Sequence, residues 1–172
     1  VTFLPYVGPP TQMATSDWWV VKLDFNGDIV QDKCFGGNQP YDILGMVEVP
    51  SGIIQHSNGD FIISGVSNAS DLDITDPIPF QLHNNPSYWI IRINSNFDIV
   101  WNKSIGGSAL EQMSASILET PDGNVIIAGN STSIDGDMDG LGHGGGQYIA
   151  DVYLAKLNVA NGDIIWGMCY GG

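Results

Sequence analysis

The sequence predicts an all-β fold made of four-stranded repeats, and three observations carry that prediction. The first is an internal repeat. Trp19–Gly37 (WVVKLDFNGDIVQDKCFGG), Trp89–Gly107 (WIIRINSNFDIVWNKSIGG) and Tyr153–Gly172 (YLAKLNVANGDIIWGMCYGG) align with one extra residue in the turn of the third copy. The second is turn chemistry. Asn-Gly and Asp-Gly pairs, among 22 glycines, supply the positive φ of tight hairpins between short apolar runs. The third is alternation. Trp89, Ile91 and Ile93 share one face of an extended segment and Ile90 and Arg92 the other, whereas no window carries a helical stripe.

In chain order, residues 1–16 do not match the repeat, and Pro5, Pro9 and Pro10 suggest a linker or an edge cover. Residues 17–37 supply the last two strands of one repeat, 38–107 a second repeat and 108–172 a third. In the two full copies the first strand is expected at Leu44–Val49 or Ser114–Thr120, and the second at Asp60–Ser67 or Asn124–Ser131. The third follows at Tyr88–Asn94 or Val152–Asn158, and the fourth at Asp98–Ile105 or Asp163–Tyr170. In that fourth strand Ile99, Trp101, Lys103 and Ile105 are expected on one side. Aligning MVEVPSG (46–52) with ILETPDG (117–123) matches Glu48 to Glu119 and places about seven extra residues at Ile53–Gly59. The alternative alignment puts the insertion before Ile53. Repeats of this size and strand count fit the blades of a β-propeller, whose sheets bury both faces against their neighbours. A sandwich or an open solenoid is the competing reading. About two and a half blades make an incomplete ring, to be completed by further sequence, by another chain, or not at all. The segment reads as a piece of something longer.

Five basic against 19 acidic residues leave a net charge of −14. A nucleic-acid binder needs cationic side chains to displace counterions, so that class is excluded, and anionic membranes are disfavoured. No apolar run is long enough for a signal peptide or a membrane span. Other blades, protein chains and glycans remain as partners.

The repeated residues are expected to serve the repeat. Lys22, Arg92 and Lys156 share one column and Lys33 and Lys103 another, placed to pair with Asp side chains or carbonyls between sheets. Trp101 and Trp166 share a column where the first copy has Gln31. Their spacing from a turn and a later Gly resembles the tryptophan-docking motif of quinoprotein-type propellers, which implies packing and no quinone. Trp18, Trp19 and Trp89 are expected in the core, Trp18 being the most open to solvent. Cys34 and Cys169 fall in one column, too far apart for a disulfide, and read as buried free thiols. His56, His83 and His143 have no metal-ligand spacing.

One segment carries a chemical pattern. In STSIDGDMDGLGHGGGQ (131–147), Asp135, Asp137 and Asp139 alternate before Gly140. Oxygens at alternate positions with a Gly-permitted turn suit calcium, so these three aspartates are the candidate metal ligands and calcium the candidate cofactor. The earlier repeat has a weaker version at Asp71, Asp73 and Asp76. No catalytic set can be nominated from sequence.

The runs DWWVVKLDFNGDI (17–29), CFGG (34–37) and PDGNVIIAGNSTSIDGD (121–137) resemble the propeller-like repeats of large secreted and cell-surface proteins of Bacteroidetes, many ending in a type IX secretion sorting domain. The likeness covers residues 17–172. It departs at the entry to the third strand, where an Asp-Tyr-Trp pattern is represented by Asp17-Trp18-Trp19, Ser87-Tyr88-Trp89 and Asp151-Val152-Tyr153. The resemblance implies an extracellular or cell-surface placement and carries no activity. The expected function is a non-catalytic module for binding, adhesion or scaffolding. The alternatives are a glycan-active enzyme or accessory domain, with loops 66–87 and 130–150 on one face, and a structural subunit of a larger surface assembly.

Overall fold

A computed structural model of the chain describes residues 17–37, 48–76, 85–141 and 149–171. The expected linker at 1–16, His83, His143, Phe80 and Tyr148 lie outside them. Among the described residues the fold is all-β and antiparallel, arranged as three sheets. β1 (Trp18–Leu23) pairs with β2 (Ile29–Phe35) in a two-stranded sheet. β3 (Val49–Gln55), β4 (Phe61–Ser67), β5 (Ser87–Ile93) and β6 (Ile99–Ile105) form a second sheet in sequence order. β7 (Glu111–Glu119), β8 (Val125–Ser131), β9 (Asp151–Leu157) and β10 (Ile164–Tyr170) form the third. No helix among the described residues is long and apolar enough to cross a membrane.

The same turn closes the third and fourth strands of the first two copies, and a turn one residue longer closes those of the third. Asp24 Oδ1 accepts the Asn26 and Asp28 amides, and Asn94 Oδ1 those of Asn96 and Asp98. An Asx side chain thereby replaces part of the backbone ladder while the chain reverses. Gly27 and Gly162 occupy the left-handed position at φ +90° and +78°, but the middle copy places Phe97 there, at φ +63°. That substitution has a packing reason, developed below.

The second, third and fourth strands fall within a residue or so of their expected limits. The first strand differs. β3 runs Val49–Gln55, not Leu44–Val49, and Gln55 pairs with Phe61 as Glu119 pairs with Val125. The extra residues of the second repeat therefore lie before Ile53, and Glu48 is not the counterpart of Glu119. β6 also departs from simple alternation. A register shift between Arg92 and Ile93 turns Ile99 towards the first sheet, whereas Trp101 and Ile105 face the third.

Each face of the middle sheet is apolar because each is covered. Ile63, Trp89, Ile91 and Ile93 pack with Trp18, Val20 and Phe35 of the two-stranded sheet. Ile62, Tyr88, Ile90 and Ile105 pack with Val125, Ile127, Tyr153 and Leu157 of the third. Stacked sheets of this kind bury a ring at each step. Trp18 lies over Trp89 with centroids 4.4 Å apart, and Tyr88 over Tyr153 at 6.1 Å. The two pairs use the same two columns, so one geometric step relates each sheet to the next. Trp18 is fully buried; Trp19, on the outer face, is only partly covered.

Candidate functional site

Both junctions between sheets share a polar device at one end. Each sheet finishes in Gly-Gly, and the loop after the second strand of the following sheet folds onto that pair. Gly36 N donates to Asp73 Oδ2 at 3.1 Å while Asp73 N donates to Gly36 O at 3.3 Å. At the second junction Gly106 N donates to Asp137 Oδ2 and Asp137 N to Gly106 O, both at 3.0 Å. Asp135 Oδ1 accepts the Ser108 amide at 2.7 Å. The glycines are required by proximity. A Cβ on Gly107 would lie 2.5 Å from the Asp135 carbonyl oxygen, and one on Gly37 would lie 2.6 Å from Ala69 Cβ. The alternating aspartates thus latch one sheet to the next.

Behind each latch sits a buried glutamate. Glu48 Oε1 accepts Gly37 N at 2.9 Å and Ser67 Oγ at 3.0 Å. Glu111 Oε1 accepts Ser131 Oγ at 3.0 Å and Ser133 Oγ at 2.6 Å. The two are 3% and 1% exposed. Burial pushes Glu48 up to about 8, with Asp17 and Asp73 adding, against the hydrogen bonds that pull it down. Burial likewise pushes Glu111 up to about 7, with a smaller contribution from Asp135. Burial also raises Asp137, whereas the Ser108 amide holds Asp135 below its ordinary value. Carboxyls poised near neutrality can serve acid–base chemistry, but these two are enclosed between packed sheets.

The sequence reading aligned Glu48 with Glu119 and so missed this pair. Ser67 and Ser131, lying 19 and 20 residues after Glu48 and Glu111, were the available signal. The longer connection between Gly37 and Glu48 concealed it.

Of the candidate metal ligands, Asp135 and Asp137 are engaged by backbone amides of the preceding sheet. Asp139 is exposed, directly after a single 3-10 turn at Gly136–Met138. Among the described residues no group of three or more His, Cys, Asp or Glu side chains is placed to hold a metal ion. The described parts of the two variable loops, 68–76 and 132–141, do emerge at one end, each at its own latch.

Four of the five basic residues, all but Lys22, reach Asp side chains or carbonyls, and their ion pairs lie within a sheet instead of between sheets. Lys33 Nζ donates to Phe97 O at 2.9 Å, across the first junction. Arg92 pairs with Asp60 at 2.6 Å and donates to Val159 O of the third sheet at 2.7 Å. Lys103 pairs with Asp76, and Lys156 with Asp122. Trp101 wedges into the second junction, its Nε1 donating to Val159 O at 2.8 Å and its ring lying against Gly162. At the first junction the exchange is reversed. Gln31 stands in the Trp column, and the facing turn supplies the buried Phe97. That ring packs edge-on to Phe61 and borders a cavity of about 110 Å³ with Val20 and Lys22.

One expectation about the cysteines needs correction. Cys169 is a buried free thiol, but Cys34 is exposed, because its strand turns it to the outer face of the two-stranded sheet. His56 lies in the connection between β3 and β4. It is buried between hairpins, with Nε2 2.9 Å from Gly123 O and 3.3 Å from Glu119. Beside it Ser57 N and Oγ donate to the Glu119 carboxylate.

No protein-family model matches the chain, and no curated protein matches it.

Proposed function

We propose that this chain is a non-catalytic scaffold module of the β-propeller type, presenting binding or adhesive surfaces in an extracellular or cell-surface protein. The observation that carries the reading is the destination of the repeated polar residues. The Asp latch, the buried glutamates, Arg92, Lys33 and Trp101 are all engaged in joining strands or sheets. Residues that recur in successive sheets and are consumed by their joints maintain an architecture. The net charge of −14 fits neutral glycans or protein partners better than polyanions. The resemblance to secreted Bacteroidetes repeats supports the placement outside the cell.

The glycan-active alternative needs an accessible acid–base pair, whereas Glu48 and Glu111, whose carboxyls burial raises, stand at separate junctions and are 3% and 1% exposed. Incubation with a panel of neutral and acidic oligosaccharides separates the two readings. The scaffold reading expects no cleavage of any glycan, bound or unbound. Cleavage abolished by Glu111→Gln, with the fold retained, would overturn it.

A further inference from the structure

We propose that Asn26 is a site of spontaneous covalent modification, at which the Gly27 amide nitrogen closes on the Asn26 carboxamide and converts it to aspartate and isoaspartate. The site is independent of the scaffold reading. The sequence holds three Asn-Gly pairs, Asn26-Gly27, Asn58-Gly59 and Asn161-Gly162. Each sits in a hairpin turn, with its glycine at a φ of +90°, +94° and +78° in that order. Asparagine is thermolabile, and a glycine after it leaves the attacking nitrogen unshielded by a side chain. In the reaction the Gly27 nitrogen gives up its proton and bonds to Asn26 Cγ. The Cγ–Nδ2 bond breaks, and ammonia leaves with that proton. Water then opens the cyclic imide at either carbonyl. One opening restores the original chain path with an aspartate. The other routes the chain through Cβ, which lengthens the turn between Asp24 and Asp28 and sets a new carboxylate beside them.

What singles out Asn26 is a competition for one backbone amide. In the other two turns the Asn side chain takes the amide two residues on. Asn58 Oδ1 accepts the Asp60 amide at 3.0 Å, and Asn161 Oδ1 the Asp163 amide at 3.2 Å. The amide end of each side chain donates to the same aspartate, to Asp60 Oδ2 at 3.3 Å and to Asp163 Oδ2 at 2.6 Å. In the first turn Asp24 Oδ1 already accepts the Asp28 amide at 3.0 Å, and the Asn26 amide at 2.9 Å. That turn is built without the Asn26 side chain, and among the described residues none of its hydrogen bonds holds the carboxamide. The attacking nitrogens differ in the same sense. Gly27 N donates to Asp24 O at 3.2 Å, whereas Gly59 N and Gly162 N each make a bond of 2.8 Å. All these bonds lie inside their own turns, so the difference does not depend on what packs against each sheet. The middle copy is an internal control. Asn94 Oδ1 accepts the Asn96 and Asp98 amides as Asp24 does in the first copy. There Phe97 follows Asn96, and its side chain crowds the nitrogen that would attack.

The test is incubation of the folded chain in mildly alkaline buffer, with peptide mass mapping that distinguishes aspartate from isoaspartate at each Asn-Gly pair. Asn26 should convert about ten- to a hundredfold faster than Asn58 or Asn161, the factor that breaking one hydrogen bond to a charged carboxylate adds to a barrier. In concentrated guanidinium, where the turns are lost, the three sites should convert at similar rates. Phe97→Gly should open a further site at Asn96, whereas Phe97→Ala, which keeps a side chain on that residue, should not. Conversion of Asn26 no faster than that of Asn58 and Asn161 in the folded chain, or a preference for Asn26 that survives unfolding, overturns the inference. The scaffold reading stands or falls separately, on the glycan-cleavage test.

Discussion

Raising the pH from 5 to 9 should progressively destabilise this protein, because Glu48 and Glu111 bind their protons more tightly folded than unfolded. Their pKa values rise from 4.5 to about 8 and about 7. For a raised carboxyl the sign is fixed. The contribution is fully present below about 4.5 and is lost as the pH rises through the folded value. At about 1.4 kcal/mol per unit, the shifts correspond to roughly 5 and 3 kcal/mol, as ceilings, since local opening lets water reach an ionising carboxylate. At about 2–4 °C per kcal/mol for a domain of this length those ceilings amount to roughly 16–32 °C, and with local opening removing about half or more, a fall in Tm on the order of 5–15 °C is expected. Self-repulsion of the acidic surface acts in the same direction, and the double variant Glu48→Gln/Glu111→Gln separates the two. Its amide oxygens still accept the serine hydroxyls, but nothing ionises, so most of the slope should vanish and the variant should be the more stable protein at pH 9. Thermal melts followed by near-UV circular dichroism at intervals across the window provide the assay. A wild-type Tm that is flat or rising from pH 5 to 9, or an unchanged slope in the double variant, would refute the reasoning.

Three further outcomes follow from the joints. Trp101→Ala removes the wedge against Gly162 and its bond to Val159, and should cost about 3–5 kcal/mol by denaturant titration. Phe97→Gly relieves a left-handed φ but empties the first junction; the lost ring outweighs the relieved strain, so the variant should be less stable by about 2–4 kcal/mol. Calcium and excess chelator should give equal melting temperatures, because Asp135 and Asp137 already accept backbone amides. A calcium-dependent rise that Asp139→Ala abolishes would restore the cation reading, since Asp139 takes no part in the latch.

The strands were legible wherever an apolar alternation ended in an Asx or Gly turn, as at Ile29–Phe35 and Val125–Ser131. The first strand was not, because the connection before Glu48 is seven residues longer than the one before Glu111 and two glutamates competed for the alignment. The Asp-rich loop was legible as chemistry but not as a partner. Alternating carboxylates look alike whether they face a cation or the amides of another sheet, and only the fold brings Gly106–Ser108 to Asp135 and Asp137. The exposure of Cys34 follows from the same limit. Its column equals that of Cys169, but what covers a column is set by the neighbouring sheet.

Amide hydrogen exchange at Gly36, Gly106 and Ser108, resolved by NMR, tests most directly the claim that aspartate loops latch each sheet to the next. The latch predicts protection comparable to the amides of the central strands, lost at Ser108 in Asp135→Ala and at Gly106 in Asp137→Ala. Exchange at the rate of open loops in the wild-type protein would contradict it.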